Sequence, residues 1–402
     1  MAEIIVKLEG HIIDSLTLSK VFDEILLMGG NYHSEEVIIG QKRKDVSSAR
    51  IRVEAPDNQI LETILSRLHQ LGCIEETEKN VTLISAEQRG VFPEGFYATS
   101  NLDTEIYKDE KWIQVENCAM DCGILYDPKS KGASCVKMSE VQQGESYVVG
   151  IQGVRVHASR QKEKKQAFAF MDSGVSTERP KEKLIQNIAL EMKELKDKEG
   201  SVLVVCGPAV VHTGAREYLA RLIREGYIHK LFAGNALATH DIEAALYGTS
   251  LGMDLQSGLN ISGGHRNHLY AINQIRSCGS IQQSVQKGVL KSGIMYECIN
   301  GSCDFLLAGS IRDDGPLPDV ITDCLQAQKQ MREKLKNVRL VIMLATMLHS
   351  IATGNLLPAS TKTICVDINP TVVTKLMDRG SHQAVGIVMS ADAFLHQLCE
   401  DL

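Results

Sequence analysis

Hydrophobic positions change their period along the chain, and each change marks a candidate boundary. Over the first 85 residues the pattern predicts β-α-β-β-α-β. Ile4-Ile5-Val6-Lys7-Leu8 suits a strand. Leu18, Val21, Phe22 and Ile25 then repeat with helical spacing over Leu16 to Met28, and Gly29-Gly30 stops that helix. Val37-Ile38-Ile39 and Ala49 to Val53 read as paired strands around a polar turn at Lys42 to Ser48. A second helix runs from about Asp57 to Leu71, with Ile60, Ile64, Leu68 and Leu71 on one stripe and Gly72 behind it. Val81 to Ile84 supplies the closing strand. This order is the ferredoxin-like split βαβ arrangement, placed over residues 1–88. The fold alone says little about function, because it serves regulation, assembly and catalysis alike.

Residues 89–178 read as a small β-rich module, with short runs at Trp112 to Val115, Gly123 to Tyr126, Ser146 to Val149 and Val154 to Val156. Pro180 then opens a helix whose face carries Leu184, Ile188, Met192 and Leu195, and Gly200 closes it. Beyond it, strand and helix alternate. The strand candidates are Val202 to Val205, Lys230 to Ala233, Asp304 to Ala308, Leu340 to Leu344, Thr363 to Val366 and Ala384 to Val388. Helix-like stretches include Ala215 to Glu225, Asp319 to Lys336, Pro370 to Asp378 and Ala391 to Leu398. Apolar runs without alternation indicate strands buried on both faces. Alternating βα units imply a parallel sheet. The expected fold class is therefore α/β, with a doubly wound parallel-sheet domain over residues 179–402, including its connecting helix.

In an open parallel sheet, ligands bind beyond the carboxyl ends of the strands, where the strand order reverses. The segment after Leu344 opens a short helix, and the next strand ends at Asp367, roughly 20 positions on, where a ribose-binding acid of a dinucleotide site would lie. Backbone amides of Thr346 to His349 would then face a pyrophosphate. No G-x-G-x-x-G is present, and Asp367 is equally placed to cap the helix that begins at Pro370. In Asn235-Ala236-Leu237-Ala238-Thr239-His240-Asp241, the Asn side chain could meet a carboxamide or a substrate; an ordinary loop leading into a helix accounts for the same residues. Gly263-Gly264-His265-Arg266-Asn267-His268 could supply a proton carrier and a carboxylate clamp, or form a polar surface loop.

Composition narrows the classes. A net charge of −7 argues against nucleic-acid binding. The basic runs at 41–44 and 160–165 suit solvated loops. The most apolar stretch, Leu340 to Leu348, is much shorter than the roughly 20 residues a bilayer needs, and no secretory signal precedes the first strand. The 11 cysteines lie within core-like segments and suit reduced thiols of a cytoplasmic protein. Cys118 and Cys122, with Cys135 further on, lack an obvious fourth ligand, so no metal site is expected. G-x-S-x-G and Walker A patterns are absent.

Taken together, several segments resemble one family. They are Phe92-Pro93-Glu94-Gly95-Phe96-Tyr97-Ala98-Thr99-Ser100-Asn101, the run Gly234 to Glu243, Asp313-Asp314-Gly315-Pro316-Leu317-Pro318-Asp319 and Met343 to Ser350. The chain is identified by them as a member of the archaeal-type ornithine cyclodeaminase family, long labelled as a lysine-oxoglutarate reductase/saccharopine dehydrogenase bifunctional conserved region. It is also similar to the C-terminal part of cyanobacterial bifunctional arginine dihydrolases. The resemblance implies an NAD domain similar to that of deoxyhypusine synthase, with Asn235, Ala236, Asp314, Thr346, Met347, Leu348, His349 and Asp367 contacting NAD, and Asp392 and Ala393 adding to them. It implies conversion of L-ornithine to L-proline and ammonia, with a hydride leaving the α-carbon and returning within one turnover. On that reading Arg266 holds the α-carboxylate, and His265, or His240 with Asp241, handles the proton. Arginine dihydrolase activity is not carried over, because the hydrolase module is missing. The expected partner is a small amino-acid substrate, and the expected assembly a homo-oligomer. The rival readings are an amino-acid or saccharopine-type dehydrogenase with net NADH turnover, and an NAD- or amino-acid-sensing regulator.

Overall fold

Strict alternation at Ala49, Ile51, Val53 and Ala55 puts one face of a strand into a core, and these residues are buried where their neighbours are not. The strand is β3 (Ser47–Ala55). It pairs antiparallel with β1 (Ala2–Gly10) and with β2 (Asn31–Ile38), and β1 also takes β4 (Ile74–Glu75), giving the order β2-β3-β1-β4. Helices α1 (Thr17–Leu27) and α2 (Asn58–Gln70) contribute Val21, Ile25, Ile64 and Leu68 to the same core. This is the ferredoxin-like arrangement, with one correction. Val81 to Ile84 is expected to close this sheet, but the strand there, β5 (Thr82–Ser85), pairs with β10 (Ser146–Val149) in a second sheet. Period-2 alternation tells which face of a strand is wet; it does not name the neighbour. The two-residue β4 is too short to leave a pattern.

The second sheet runs β11-β6-β7-β9-β8-β10-β5, where β6 is Asp103–Lys108, β7 Lys111–Glu116, β8 Gly123–Asp127, β9 Gly132–Val136 and β11 Val154–His157. Residues 2–10, 12–13, 16–40, 45–75, 79–100, 102–157, 181–196, 201–250, 253–254, 266–301, 303–313, 315–379 and 384–402 are described by the computed structural model. The chain divides into two compact units, Met1–Lys164 with Pro358–Ser360, and Lys165–Leu357 with Thr361–Leu402. Both small sheets belong to the first.

The second unit is built on one parallel sheet. After α3 (Lys181–Lys196) the chain forms β12 (Ser201–Cys206), α4 (Ala209–His212), α5 (Arg216–Arg224), β13 (Lys230–Gly234) and α6 (Asn235–Tyr247). A short hairpin, β14 (Thr249–Ser250) and β15 (Met253–Asp254), precedes α7 (Asn267–Cys278), α8 (Ile281–Gln286) and α9 (Ile294–Asn300). Then follow β16 (Asp304–Ala308), β17 (Val320–Ile321), α10 (Cys324–Lys334), β18 (Val338–Leu344) and α11 (Leu348–Gly354). The unit ends with β19 (Lys362–Asp367), α12 (Pro370–Arg379), β20 (Ala384–Val388) and α13 (Ala391–Asp401). Strand order is β17-β16-β13-β12-β18-β19-β20, all parallel.

The apolar runs have the expected cause. On β12, Val202, Val204 and Cys206 pack under α3, α5, α6 and α9, while Leu203 and Val205 pack on the opposite face with Met331 of α10 and Leu376 of α12. Leu340, Ile342 and Leu344 of β18 divide from Val341 and Met343 in the same way. Two readings shift. The stretch from Asp319 begins as the edge strand β17 and turns helical only at Cys324, and Asn235–Asp241 is helix from its first residue.

Candidate active site

The chain leaves β12 toward β13 and β16, then returns across β12 to form β18, so the strand order reverses between β12 and β18. Their following loops part to opposite faces and leave a crevice, the position where this class of sheet takes its ligand. Glycine makes the crevice floor. A Cβ on Gly207 would overlap the Ala345 carbonyl oxygen, and the Gly207 amide donates to the Leu344 carbonyl at 3.0 Å. Ala345 is held at φ 49°, in the left-handed region that disfavours a side chain, and its amide donates to the Val366 carbonyl at 3.0 Å. Those bonds tie the ends of β12, β18 and β19 together and turn Thr346 to His349 along the rim.

His349 reaches sideways to β13. A Cβ on Gly234 would lie 2.9 Å from His349 Cε1, so the glycine makes room for the imidazole. Burial lowers the His349 pKa, and Asp313 opposes that shift. Asn235, the first residue of α6, is buried; its Oδ1 accepts from the Leu317 amide at 3.1 Å and from Thr239 Oγ1 at 3.3 Å. Ala236 beside it is exposed. At the end of β19, Asp367 Oδ1 accepts from the Asn369 amide at 2.8 Å, and Asn369 Oδ1 accepts from the Thr371 amide at 2.9 Å. The side chain that caps α12 is therefore that of Asn369, and Asp367 braces it with one of its two oxygens. Met347 and Leu348, beyond β18, and Ile368, beyond β19, are exposed apolar side chains. With seven residues, α11 is too short to contribute much of a dipole, which leaves the rim from Thr346 to His349 only local amides to offer.

Asp392 and Ala393, at the start of α13 beyond β20, line a cleft of about 900 Å³ together with Lys181, Thr213, Tyr218 and His396. No other residue expected to contact NAD lines that cleft. Arg266 stands exposed at the N-terminus of α7. His265 and Asp314 lie outside the described residues.

The expected pairing of His240 with Asp241 does not form. Adjacent helical residues point about 100° apart, so the two side chains serve different neighbours. Asp241 is fully buried and accepts from Arg216 Nε at 2.7 Å, from the Ile294 amide at 2.9 Å and from the Met295 amide at 2.8 Å. It thus joins α5, α6 and the first turn of α9. Burial raises its carboxyl pKa, and the Arg216 charge and both amides counter that. Gly293 is required there, since it sits at φ 109° and a Cβ would strike the Arg216 guanidinium.

His240 instead joins Glu243, its Nδ1 2.8 Å from Glu243 Oε2. Glu243 is buried, and its Oε1 accepts from Thr249 Oγ1 at 2.8 Å, while Thr249 Oγ1 accepts from Asn267 Nδ2 at 2.9 Å. The ring of His212, at the end of α4, lies 4.7 Å from that of His240, and the ring of His268, on α7, lies 6.2 Å from it. His212 Nδ1 is 2.7 Å from Ser250 Oγ. Burial and the neighbouring His240 push the His212 pKa down to about 4. His212 and Glu243 were given no role by sequence, and His268 entered only as the end of the polar segment Gly263 to His268. The His240-x-x-Glu243 spacing on a helix was the available signal for one of them. Among the described residues, no group of three or more His, Cys, Asp or Glu side chains could hold a metal ion.

Three family models match the chain in succession. The LOR/SDH bifunctional enzyme conserved region covers residues 3–102. The first region of the C-terminal part of ArgZ-like arginine dihydrolases covers 103–185, and its Rossmann-fold region covers 186–398. The ornithine cyclodeaminase of Methanopyrus kandleri is 52% identical over 401 residues, covering 100% of this chain and 97% of that one. The chain belongs to the archaeal-type ornithine cyclodeaminase family. Solved structures related to this ornithine cyclodeaminase family member include apo ArgZ, an arginine dihydrolase from the ornithine-ammonia cycle in cyanobacteria, at TM-score 0.86 and 37% identity over 100% of this chain and 58% of that one. The ternary complex of AgrE with ornithine and NAD⁺ matches at TM-score 0.55 and 41% identity, over 100% of this chain and 57% of that one. The chain thus spans little more than half the length of those two proteins.

Proposed function

We propose that this chain is an NAD-dependent ornithine cyclodeaminase that converts L-ornithine to L-proline and ammonia. The observation that carries the reading is identity of 52% to an ornithine cyclodeaminase across 100% of this chain and 97% of that one. The AgrE complex with ornithine and NAD⁺, alike over the whole of this chain, supports the cofactor. The crevice fits a dinucleotide on its own terms. Asp367 has a second carboxylate oxygen to offer ribose hydroxyls, and Met347, Leu348 and Ile368 give exposed apolar side chains beyond β18 and β19.

On this reading Asn235, Ala236, Asp314, Thr346, Met347, Leu348, His349 and Asp367 hold the cofactor, with Asp392 and Ala393 at the far end of the rim. When bound, NAD⁺ supplies a two-electron acceptor that is restored within the same turnover, so ornithine and proline differ by ammonia alone. The protein has three tasks. It binds the α-carboxylate, for which Arg266 at the start of α7 is the nearest cation to the histidine cluster in sequence. It takes a proton from an ammonium so that the amine can attack, which His240 or His265 would do. It keeps bulk water from the reacting carbon.

The same reading places the enzyme in the cytoplasm, as a homo-oligomer contributing to proline synthesis. None of its 11 cysteines is in a disulfide and ten of them are buried, which suits a reducing compartment. No helix among the described residues is long and apolar enough to cross a membrane. The direct test is to incubate purified protein with L-ornithine and a catalytic quantity of NAD⁺. Proline in many-fold excess over NAD⁺ is the expected product. NADH accumulating in step with substrate, without proline, would replace the reading with an ordinary dehydrogenase.

A further inference from the structure

Glu243 is a buried carboxylate on α6 whose two oxygens face different partners, and the direction of each bond can be worked out. The Asn267 amide nitrogen can only donate, so Thr249 Oγ1 accepts from it and gives its own hydrogen to Glu243 Oε1. An ionised carboxylate has no hydrogen to donate, so the bond at Oε2 requires His240 to carry its proton on Nδ1. The neutral ring then has its lone pair on Nε2. His240 is mostly but not wholly buried, at 14% side-chain exposure against 1% for Glu243. The carboxylate is thus sealed behind the imidazole, and the imidazole keeps an accessible edge. The two other rings beside it come from α4 and α7, so separate elements converge on this one group.

We infer that Glu243 is a positioning residue for His240, holding it as the Nε2 base that accepts a proton from the substrate ammonium. The inference rests on the proposed cyclodeaminase reading and adds to it a residue that chain position alone did not suggest. The step balances simply. The N–H bond of the δ-ammonium breaks and its proton moves to His240 Nε2. The bonding pair stays on the δ-nitrogen as the attacking lone pair, and the imidazolium charge is offset by Glu243 beside it. The proton is later given to the departing α-nitrogen, which leaves as ammonia. Asp241, the expected partner of His240, takes no part because Arg216 and α9 occupy it.

Two measurements test this, one of them independent of turnover. In protein labelled with ¹⁵N-histidine, at alkaline pH where the rings are neutral, the resonances lost in His240→Gln should report a proton on Nδ1. A proton on Nε2 overturns the assignment whether or not the protein makes proline. In kinetics, Glu243→Gln should lower kcat roughly 100-fold, while KM for ornithine changes less than about threefold. The double variant with His240→Gln should lose no more than His240→Gln alone, because Glu243 acts through that ring. Losses that multiply, or an equal fall in kcat with a matching rise in KM, would make Glu243 a structural carboxylate only. Absence of proline from the unaltered protein would sink the cyclodeaminase reading, and the tautomer would still decide the role of Glu243.

Discussion

Asp367 spends one carboxylate oxygen on its own backbone, and the other makes it testable. Oδ1 holds the Asn369 amide at the start of α12, a bond worth about 1 kcal/mol of stability. The other oxygen is the candidate ribose acceptor. Asp367→Arg removes that acceptor and adds bulk and positive charge. NAD⁺ affinity should fall by on the order of 2–4 kcal/mol, with the fold kept, because a bond to a charged group is worth about 1.5–3 kcal/mol. NADP⁺ affinity should rise relative to NAD⁺, since the guanidinium can pair with a 2′-phosphate. Titration of both nucleotides against the folded variant checks this. Unchanged NAD⁺ binding would reduce Asp367 to a brace for the capping residue Asn369. Spacing alone could not separate the two roles, because an acid at the end of β19 suits both.

At the scale of elements, Asp241 shows how one buried side chain can fix three helices. Its carboxylate receives Arg216 from α5 and two amides from the first turn of α9. Replacing it with Asn leaves the Arg216 guanidinium, 12% exposed, with only the exposed Glu217 as counter-charge. Breaking a buried pair from one side costs roughly 3–5 kcal/mol. Asp241→Asn should therefore unfold at markedly lower denaturant, with an unchanged m-value if the transition stays two-state. The folded fraction should still bind NAD⁺. A catalytic role would show the opposite, near-native stability with lost turnover. Elements also explain where the sequence reading slipped. β2 is an edge strand with almost every residue exposed, so Asn31–Glu36 carries no alternation to read. β17 has only two residues and joins the sheet at its margin.

For the whole molecule, the telling prediction follows the hydrogen on the α-carbon. If the cofactor is restored without leaving, ornithine deuterated at that carbon should give proline deuterated at the same carbon. ¹⁵N on the α-amine should appear in ammonia, and ¹⁵N on the δ-amine in proline. Mass spectrometry of the two products reads both. Proline without deuterium, with stoichiometric NADH in solution, would exclude internal recycling even if the crevice does bind NAD⁺. What the sequence by itself determined is the parallel sheet and its rim. Six strands buried on both faces must be apolar throughout, and a chain that alternates them with helices places its loops at one carboxyl edge. Asn235 follows β13 directly, Asp367 ends β19, and His349 lies in the first turn of α11 beyond β18, so all three could be placed on that rim. Only the tertiary structure decided which side chains meet across it. His212, His240, Glu243, Thr249, Asn267 and His268 come from α4, α6, β14 and α7, and no period along the chain records their approach. The same holds for Asp241, whose partners lie 25 and 53 residues away. A periodic pattern reports which face of an element is buried; the partner of a buried charge is set by how the elements pack, which is a property of three dimensions.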